Sequence, residues 1–243
     1  MPLQHLIHSF NERFITENTL KSAPLSYVSG EVKGHLGDLR FTSRFNSVRL
    51  FANPQVVTGH DAVSCIISEA SENVRTLWLY SSDDNHIVCL DRLSRTVHML
   101  NYLPISHEGG DLFLQVNPHH VLSIKKDHGA YFEEIIHRCG LPLRRIVISL
   151  NVSKPLERKL PTLLERLSNY RNRGYSTAIR FDDDVGSEFL EHYCLQYLHR
   201  YSPDFVRFNL RYFQTTFSEK GSHRRRDALL KAVGESLGHY PRL

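Results

Sequence analysis

The sequence lacks the features that would place it in several broad classes of protein. Its four cysteines are far apart and form no CxxC pair, which indicates a reducing compartment. The longest apolar runs, such as residues 146–148, are much shorter than the roughly 20 residues that cross a bilayer. No apolar stretch near the first residue resembles a secretory signal. We therefore expect a soluble protein of the cytoplasm that does not associate with a membrane.

Charge of one sign and grouped metal ligands are also scarce. The 30 Lys and Arg residues against 26 Asp and Glu give a net charge of +4, which is too weak to require a nucleic-acid partner. The 15 histidines are scattered, and the adjacent pair His119 and His120 points to opposite sides of its backbone, so we expect no histidine-based metal site. With 41% hydrophobic and 23% charged residues, the 243-residue chain has the composition of an ordinary globular protein.

The second half of the chain alternates between strand-like and helix-like segments. Four apolar runs predict strands, over residues 112–116, 145–150, 177–181 and 205–208. Each run is followed by apolar residues at helical spacing, over residues 121–136, 156–167, 189–198 and 228–237. Strands that alternate with helices of about 10–15 residues form right-handed crossovers and a parallel sheet. We expect Ile148 and Val206 to lie in the core of this sheet.

The first half follows a less regular pattern. It predicts a helix over residues 3–14, a β-type segment over 25–28, short strands at 48–51 and 56–57, and a helix over 87–103. A parallel sheet of about six strands leaves two architectures, an open doubly wound sheet or a closed (β/α) barrel. No GxGxxG or Walker loop is present, so the sequence favours the barrel.

Polar residues follow or end several of the predicted strands. In a βα barrel the carboxyl ends of the strands converge on one site. Hard cations such as Mg²⁺ and Ca²⁺ prefer the carboxylate and amide oxygens found here. The polar residues at these ends are Asp61, Asn117, Ser149, Asn151, residues 182–184, Arg207 and Asn209. Turns and helix caps also use Asn and Asp, so capping is the alternative explanation for each of them.

An ordered set of short motifs resembles the segments of one known protein family. Residues 145–153 (RIVISLNVS) resemble its RLELEITES strand, and residues 112–118 (LFLQVNP) resemble its strand that ends in VNxS. Residues 198–213 resemble its LKRFPVDxLKIDRSF segment. Residues 59–63 (GHDAV) stand at the place of its GxEAL motif, and residues 90–93 (LDRL) resemble its LDRW. The family is that of the EAL domains, the cyclic di-GMP phosphodiesterases, and the resemblance implies an α/β fold with a (β/α) barrel of the TIM or EAL type.

The resemblance also implies a chemistry, which this sequence matches only in part. In the family, carboxylates and an Asn bind two metal ions that activate a water, and a Lys assists the attack on a phosphodiester. Asp61 replaces the signature Glu, and Asn117 matches the metal-binding Asn. Ser149 stands in place of a ligand Glu, and Arg207 in place of the Lys. A guanidinium suits a fixed ion pair rather than proton transfer.

We therefore expect no catalytic residues, with Ser149 and Arg207 as vestiges, and no metal or other cofactor. A ligand that still binds would contact the residues that remain at the family's site, which are Asp61, Asn117, Asp182, Asp183 and Arg207. If the domain is catalytic, it would use Mg²⁺ or Mn²⁺, held by Asp61, Asn117 and Asp182.

The number of residues predicts a barrel that is incomplete or modified. A typical barrel of this type needs roughly 250 residues, whereas about 200 follow Val48, and the family's last two strands have no match. We expect the EAL-like domain to cover residues 46–243, after an N-terminal extension of residues 1–45. An incomplete barrel exposes strand edges and an apolar seam, which a partner protein or a second copy normally covers.

The leading hypothesis is a catalytically inactive EAL-like domain of a bacterial signalling or regulatory protein, which acts by binding a macromolecular partner. The alternatives are a metal-dependent cyclic di-GMP phosphodiesterase and a receptor that binds cyclic di-GMP without hydrolysing it. A third class is nucleic-acid binding, in which Arg224, Arg225 and Arg226 contact phosphate groups. A solvated basic turn is the alternative explanation for those arginines.

Overall fold

The computed structural model describes residues 3–18, 20–50, 53–67, 72–74, 84–123, 129–182, 185, 189 and 195–208. Within these ranges, no helix combines the length and the apolar character needed to cross a membrane. Several sequence predictions lie outside the described residues: the helix over residues 228–237, the arginines at 224–226, the site residues Asp183, Asp184 and Asn209, and residues 190–194 of the helix expected over 189–198.

The first part of the chain forms a helix and an antiparallel sheet. Helix α1 covers Leu3–Asn18 and is followed by the strands β1 (Leu25–Val28), β2 (Glu31–Leu36), β3 (Leu39–Leu50), β4 (Asn53–Ile67) and β5 (Glu72–Val74). Strands β1 to β4 pair as successive antiparallel hairpins, and β5 pairs with the end of β4. The two-residue turn between β1 and β2 has Ser29 and Gly30 at φ values of 56° and 84°, as tight hairpin turns require.

The remaining described chain alternates between helices and strands, as the sequence predicts. Its elements are α2 (Asp84–Tyr102), β6 (Asp111–Val116), α3 (Pro118–Ser123), α4 (Ala130–Arg138), β7 (Ile146–Val152), α5 (Leu160–Asn172), β8 (Ser176–Phe181), α6 (Leu195–Tyr201) and β9 (Phe205–Phe208). Short 3₁₀ segments at Leu103–Glu108, Leu143–Arg145 and Lys154–Lys159 connect some of them.

All nine described strands belong to one mixed sheet. Its order is β1-β2-β3-β4-β6-β7-β8-β9, with β5 paired to β4 beside this path. Strand β4 is the point where the direction changes, because it pairs antiparallel with β3 and parallel with β6, and every later pair is parallel. Among the described residues no pairing joins β9 to β1, so the described sheet is open. Its parallel strands alternate with helices, which is the α/β architecture of a barrel-type sheet.

The two faces of the sheet bury different sets of side chains. The outer face packs against the helices in the main core, where Ile148 and Val206 are 1% and 0% exposed, as the sequence predicts. The inner face carries a separate buried cluster, which consists of Val48, Phe113, Val147, Ala178 and Phe205. Side chains alternate between the faces of a strand. Ser149, Arg180 and Arg207, each two residues after a member of that cluster, therefore share the inner face.

The strands near Asp61 are longer than predicted. The expected short strands at 48–51 and 56–57 fall in β3 and β4, which have 12 and 15 residues, while Phe51 lies outside the described residues. The described side chains between Asn53 and Val57 are exposed, so burial imposes no alternation of apolar and polar residues on this stretch. As a consequence, Asp61 lies inside β4 and not at a strand end, and Ser149 likewise lies inside β7.

The single helix expected over residues 121–136 is wrong, because the structure has two helices there. Helix α3 ends at Ser123, and α4 begins at Ala130 after Gly129, whose φ of 89° is incompatible with a right-handed helix. Strand β3 also crosses the predicted boundary between residues 45 and 46. The division into an extension and a domain stays a prediction.

Candidate functional site

Three charged side chains meet on the inner face of the sheet. Nη2 of Arg207 donates a hydrogen bond to Oδ2 of Asp61 at 2.9 Å, and Nη1 of Arg180 lies 3.7 Å from the same oxygen. Asp61 is on β4, whereas Arg180 and Arg207 are paired neighbours on β8 and β9. Three strands separate β4 from β9 in the sheet. The sheet must therefore curve as a barrel does for this Asp61 cluster, consisting of Asp61, Arg180 and Arg207, to form.

The members of the Asp61 cluster differ in their access to solvent. The side chains of Asp61 and Arg207 are 8% and 9% exposed, whereas that of Arg180 is 31% exposed. The guanidinium carbon of Arg207 lies 5.0 Å from the centre of the Phe113 ring, which is a cation–π distance. Within the described part of the chain, Nε and Nη1 of Arg207 are buried and have no hydrogen-bond partner. Buried guanidinium groups are normally bonded, so this one is incompletely satisfied.

Asn117 serves a local structural purpose. It is buried directly after β6, and its Oδ1 accepts a hydrogen bond from the backbone N–H of His119 at 2.7 Å. Its own backbone N–H donates to Oδ1 of Asp91 at 2.8 Å. The side chain thus caps the start of α3, which was the alternative explanation offered by the sequence. No hydrogen bond or ion pair joins Asn117 to Asp61 among the described residues.

Asp91 is the centre of a second buried network, which the sequence did not single out as functional. Its Oδ2 accepts hydrogen bonds from Arg95 and His120, so α2 is tied to α3. Burial by itself raises the pKa of Asp91, but the neighbouring Arg95 and His120 hold the pKa below its ordinary value. The Arg95 guanidinium also lies 3.8 Å from the centre of the Phe132 ring on α4. This network fixes the chain that follows β6.

The other predicted site residues are distributed along the same strands. Ser149 is buried on the inner face of β7. Asp182 directly follows β8, and its backbone N–H donates to the carbonyl oxygen of Val152 at 2.9 Å. No hydrogen bond or ion pair links Ser149 or Asp182 to Asp61 within the described ranges. Of the predicted site residues that the structure describes, it therefore brings together Asp61 and Arg207.

Arg180 is the residue of this site that sequence reasoning missed. It lies in a predicted strand between buried Ile179 and Phe181, where a charged residue is unexpected. A lone charge in an apolar strand of a barrel points either to solvent or to the interior. The single arginine in an apolar strand was visible in the sequence, but the sequence alone does not reveal that its partner is Asp61 on β4.

The residues of the Asp61 cluster do not fit a pair of divalent cations. The carboxylate of Asp61 is already engaged by Arg207, with Arg180 close by. A cation at this oxygen would be repelled by two guanidinium groups, which keep their charge at any physiological pH. In the described residues, no three His, Cys, Asp or Glu side chains are grouped as metal ligands.

The fold and this site define an α/β barrel-type domain whose inner face carries a charged cluster beside buried apolar side chains. No protein-family model matches the chain, and no curated protein matches it. Similarity to solved structures is clear, however. It includes a standalone EAL protein from Vibrio cholerae O395 in its c-di-GMP-bound form, with 17% identity, 84% of this chain and 80% of that chain covered, and a TM-score of 0.64.

Two larger proteins show the same similarity. The Bacillus subtilis YkuI protein, with an EAL domain and in complex with c-di-GMP and calcium, has 15% identity and a TM-score of 0.60, over 82% of this chain and 46% of that chain. Klebsiella pneumoniae BlrP1, in a manganese and c-di-GMP complex, has 15% identity and a TM-score of 0.62, over 85% of this chain and 50% of that chain. The chain thus spans about half the length of these two proteins, and it has the fold of an EAL domain.

Proposed function

We propose that this chain is a catalytically inactive EAL-like domain of a bacterial, cytoplasmic regulatory protein, which acts by binding another macromolecule. The observation that carries the proposal is the buried ion pair of Asp61 and Arg207. Hydrolysis of a phosphodiester by bound metal ions needs an open coordination site and a metal-bound water near neutral pH. Here the carboxylate of Asp61 is already paired with Arg207 within the protein.

The sheet offers support for a macromolecular partner. Strand β1 is the edge of the described sheet, and Tyr27 and Val28 on it are exposed large apolar side chains. Unpaired strand edges with apolar side chains favour pairing with another chain. A protein partner or a second copy of this chain is therefore the kind of macromolecule that we propose.

A second candidate function is a receptor that binds cyclic di-GMP without hydrolysing it. Arg180 favours it, because this arginine is partly exposed beside the buried pair and can reach a ligand from the surface. A metal-dependent phosphodiesterase, with Mg²⁺ or Mn²⁺ at Asp61, Asn117 and Asp182, is less well supported. In the structure, Arg207 contacts Asp61, and the Asn117 side chain is bonded to its own helix.

Calorimetry with cyclic di-GMP separates these functions. The purified protein is titrated with and without excess Mg²⁺ or Mn²⁺, and the same samples are assayed for the linear dinucleotide. We expect no linear product, because the cluster excludes a metal-bound water. Binding without product would assign the receptor function. Product that disappears in the variant Asp61→Ala would overturn the proposal and establish a phosphodiesterase.

A further inference from the structure

The edge of the sheet at β1 is partly closed and partly open. In an antiparallel pair, successive residues direct their backbone groups alternately towards the partner strand and away from it. The carbonyl oxygen of Pro24 accepts a hydrogen bond from the N–H of His35 on β2 at 2.7 Å, so the backbone groups of Leu25 and Tyr27 point away from β2. Those of Leu25 are bonded to the side chain of Asn11 on α1, at 2.8 and 3.0 Å. Within the described residues, the N–H and C=O of Tyr27 are thus left for a strand of another chain.

Two large apolar side chains flank this open backbone pair. Tyr27 and Val28 are 45% and 47% exposed, and as neighbours on a strand they lie on opposite faces of the sheet. Aromatic and β-branched side chains are those that stabilise cross-strand pairs. A strand added at this edge would cover part of both side chains and remove apolar surface from water.

The face of the sheet that carries Val28 is basic near this edge. The register of the hairpins places Lys33 and His35 of β2 on this face, together with Arg40 and Arg44 of β3 and the acidic Glu31. Within the described part of the chain, Lys33 and Arg40 form no ion pair. Burial lowers the pKa of His35, and the charges of Arg40 and Lys33 lower it further, so both cations lie near this ring. Positive charge therefore exceeds negative charge beside the open edge.

We propose that the open edge of β1 is the docking site for a protein partner, which adds an extended segment containing acidic residues as a further strand. The inference rests on the proposed function and deepens it by naming the part of the partner that binds. Lys33 lies opposite the small Ser26, so its long side chain can reach over Ser26 to a carboxylate on a strand roughly 10 Å from β2. A second copy of this chain fits less well, because pairing two β1 edges would bring two basic faces together.

The first test removes the open N–H of Tyr27 and leaves the pairing with β2 intact. Proline has no N–H, and an edge strand tolerates it where that N–H faces away from the sheet. Tyr27→Pro should therefore keep a Tm near that of wild type while it removes one of the two open backbone groups. Tyr27→Val is the matched control, because valine keeps the N–H and suits a strand.

The probe is a capped hexapeptide in which Glu and Val alternate, titrated into the full chain and followed by NMR of the backbone amides. We expect shifts at β1 and a Kd that rises with salt concentration, because exposed charges are screened. The affinity should fall at least about tenfold in Tyr27→Pro and stay near the wild-type value in Tyr27→Val. The probe should also raise the pKa of His35, because its carboxylates offset the charges of Arg40 and Lys33.

A second variant tests the charge of this surface and does not depend on the folding of Tyr27→Pro. Lys33→Glu reverses a partly exposed cation beside β1, and we expect it to bind the Glu–Val probe at least about tenfold more weakly. A probe with Lys in place of Glu should bind Lys33→Glu more tightly than wild type. Arg158→Glu, at an exposed position of the 3₁₀ segment before α5, is the control and should bind the Glu–Val probe as wild type does.

Three results would overturn the inference: no shift at β1, equal binding of the probe by wild type and a folded Tyr27→Pro, or equal binding of the Glu and Lys probes by wild type. A dimer of this chain that dissociates in Tyr27→Pro would assign the edge to a second copy and would also overturn it. These results leave the lack of hydrolysis in the proposed function untouched. Metal-dependent hydrolysis of cyclic di-GMP would overturn that function, whereas the peptide probe decides the docking site separately.

Discussion

Two buried aspartates of this domain differ in their bonding partners and in their access to solvent. Asp91 accepts hydrogen bonds from Arg95, from His120 and from the backbone of Asn117. Asp61 accepts one hydrogen bond, from Arg207, while that arginine keeps two buried donors without partners. Nη1 of Arg95 is also buried without a partner among the described residues, so each network contains an incompletely bonded guanidinium. The two networks differ in access to solvent, because the Asp61 cluster includes the partly exposed Arg180, whereas Asp91 and Arg95 are fully buried.

His98 makes the stability of the domain depend on pH. Its Nδ1 and Nε2 are hydrogen-bonded to the hydroxyls of Ser43 and Ser64, at 2.7 and 3.2 Å, so it joins α2 to β3 and β4. Burial lowers the pKa of His98 to about 4, although the charge of Asp61 acts in the opposite direction. The unfolded chain, with a pKa near 6.5, binds the proton first as the pH falls. We predict that the free energy of unfolding decreases between those two pKa values by about 3 kcal/mol.

The contribution of His98 is measured by urea unfolding at about pH 7 and about pH 4.5. The variant His98→Gln should have a lower free energy of unfolding than wild type at the higher pH. Its free energies of unfolding at the two pH values should differ much less than those of wild type. His8→Gln, at an exposed position on α1, is the control and should keep the wild-type difference in unfolding free energy between the two pH values. If wild type and His98→Gln lose equal stability on acidification, then His98 is not the group responsible.

Among the secondary-structure elements, the parallel strands β6 to β9 could be predicted from the sequence, whereas the full length of the hairpin formed by β3 and β4 could not. The strands around Ile148 and Val206 are buried on the outer face, so their apolar runs are clear, and each is correctly predicted. Strands β3 and β4 continue into an exposed hairpin, where burial imposes no pattern on the residues. A similar limit explains why the site was predicted only in part. The polar residues of the barrel strands were identifiable, but the contact between Asp61 and Arg207 depends on the curvature of the whole sheet.

The position of Ile148 gives a prediction for strand β7. Ile148 is 1% exposed and packs between the sheet and the helices, so Ile148→Asp would bury a carboxylate among apolar side chains. We expect a loss of about 4 kcal/mol or more, which is enough to unfold many domains. Val206→Asp on β9 should have the same effect, and Ile15→Asp, at a position that is 40% exposed on α1, should have little. Circular dichroism during thermal unfolding measures all three; an unchanged Tm for Ile148→Asp would contradict the assigned face of β7.

For the whole molecule, the question is whether the first 45 residues fold with the barrel strands or separately from them. Asn101 on α2 forms direct hydrogen bonds with β2. Its Oδ1 accepts a hydrogen bond from the N–H of Val32 at 2.7 Å, and its Nδ2 donates to the carbonyl oxygen of Val32 at 2.8 Å. The same amide donates to the Ser43 hydroxyl on β3 at 3.2 Å. One side chain thus joins the N-terminal hairpin to the helix that precedes the parallel strands.

We predict that Asn101→Ala destabilises the entire domain in one transition. The backbone groups of Val32 would lose their side-chain partners, and losing two or three such bonds should cost about 2–3 kcal/mol. Hydrogen exchange should then become faster in β2 and also in the parallel strands β6 and β7, because one cooperative unit opens as a whole. Asn172→Ala, at an exposed position at the end of α5, is the control and should change neither. Faster exchange confined to β1 and β2, with β6 and β7 unchanged, would instead mean that residues 1–45 form a separate extension, as the sequence first suggested.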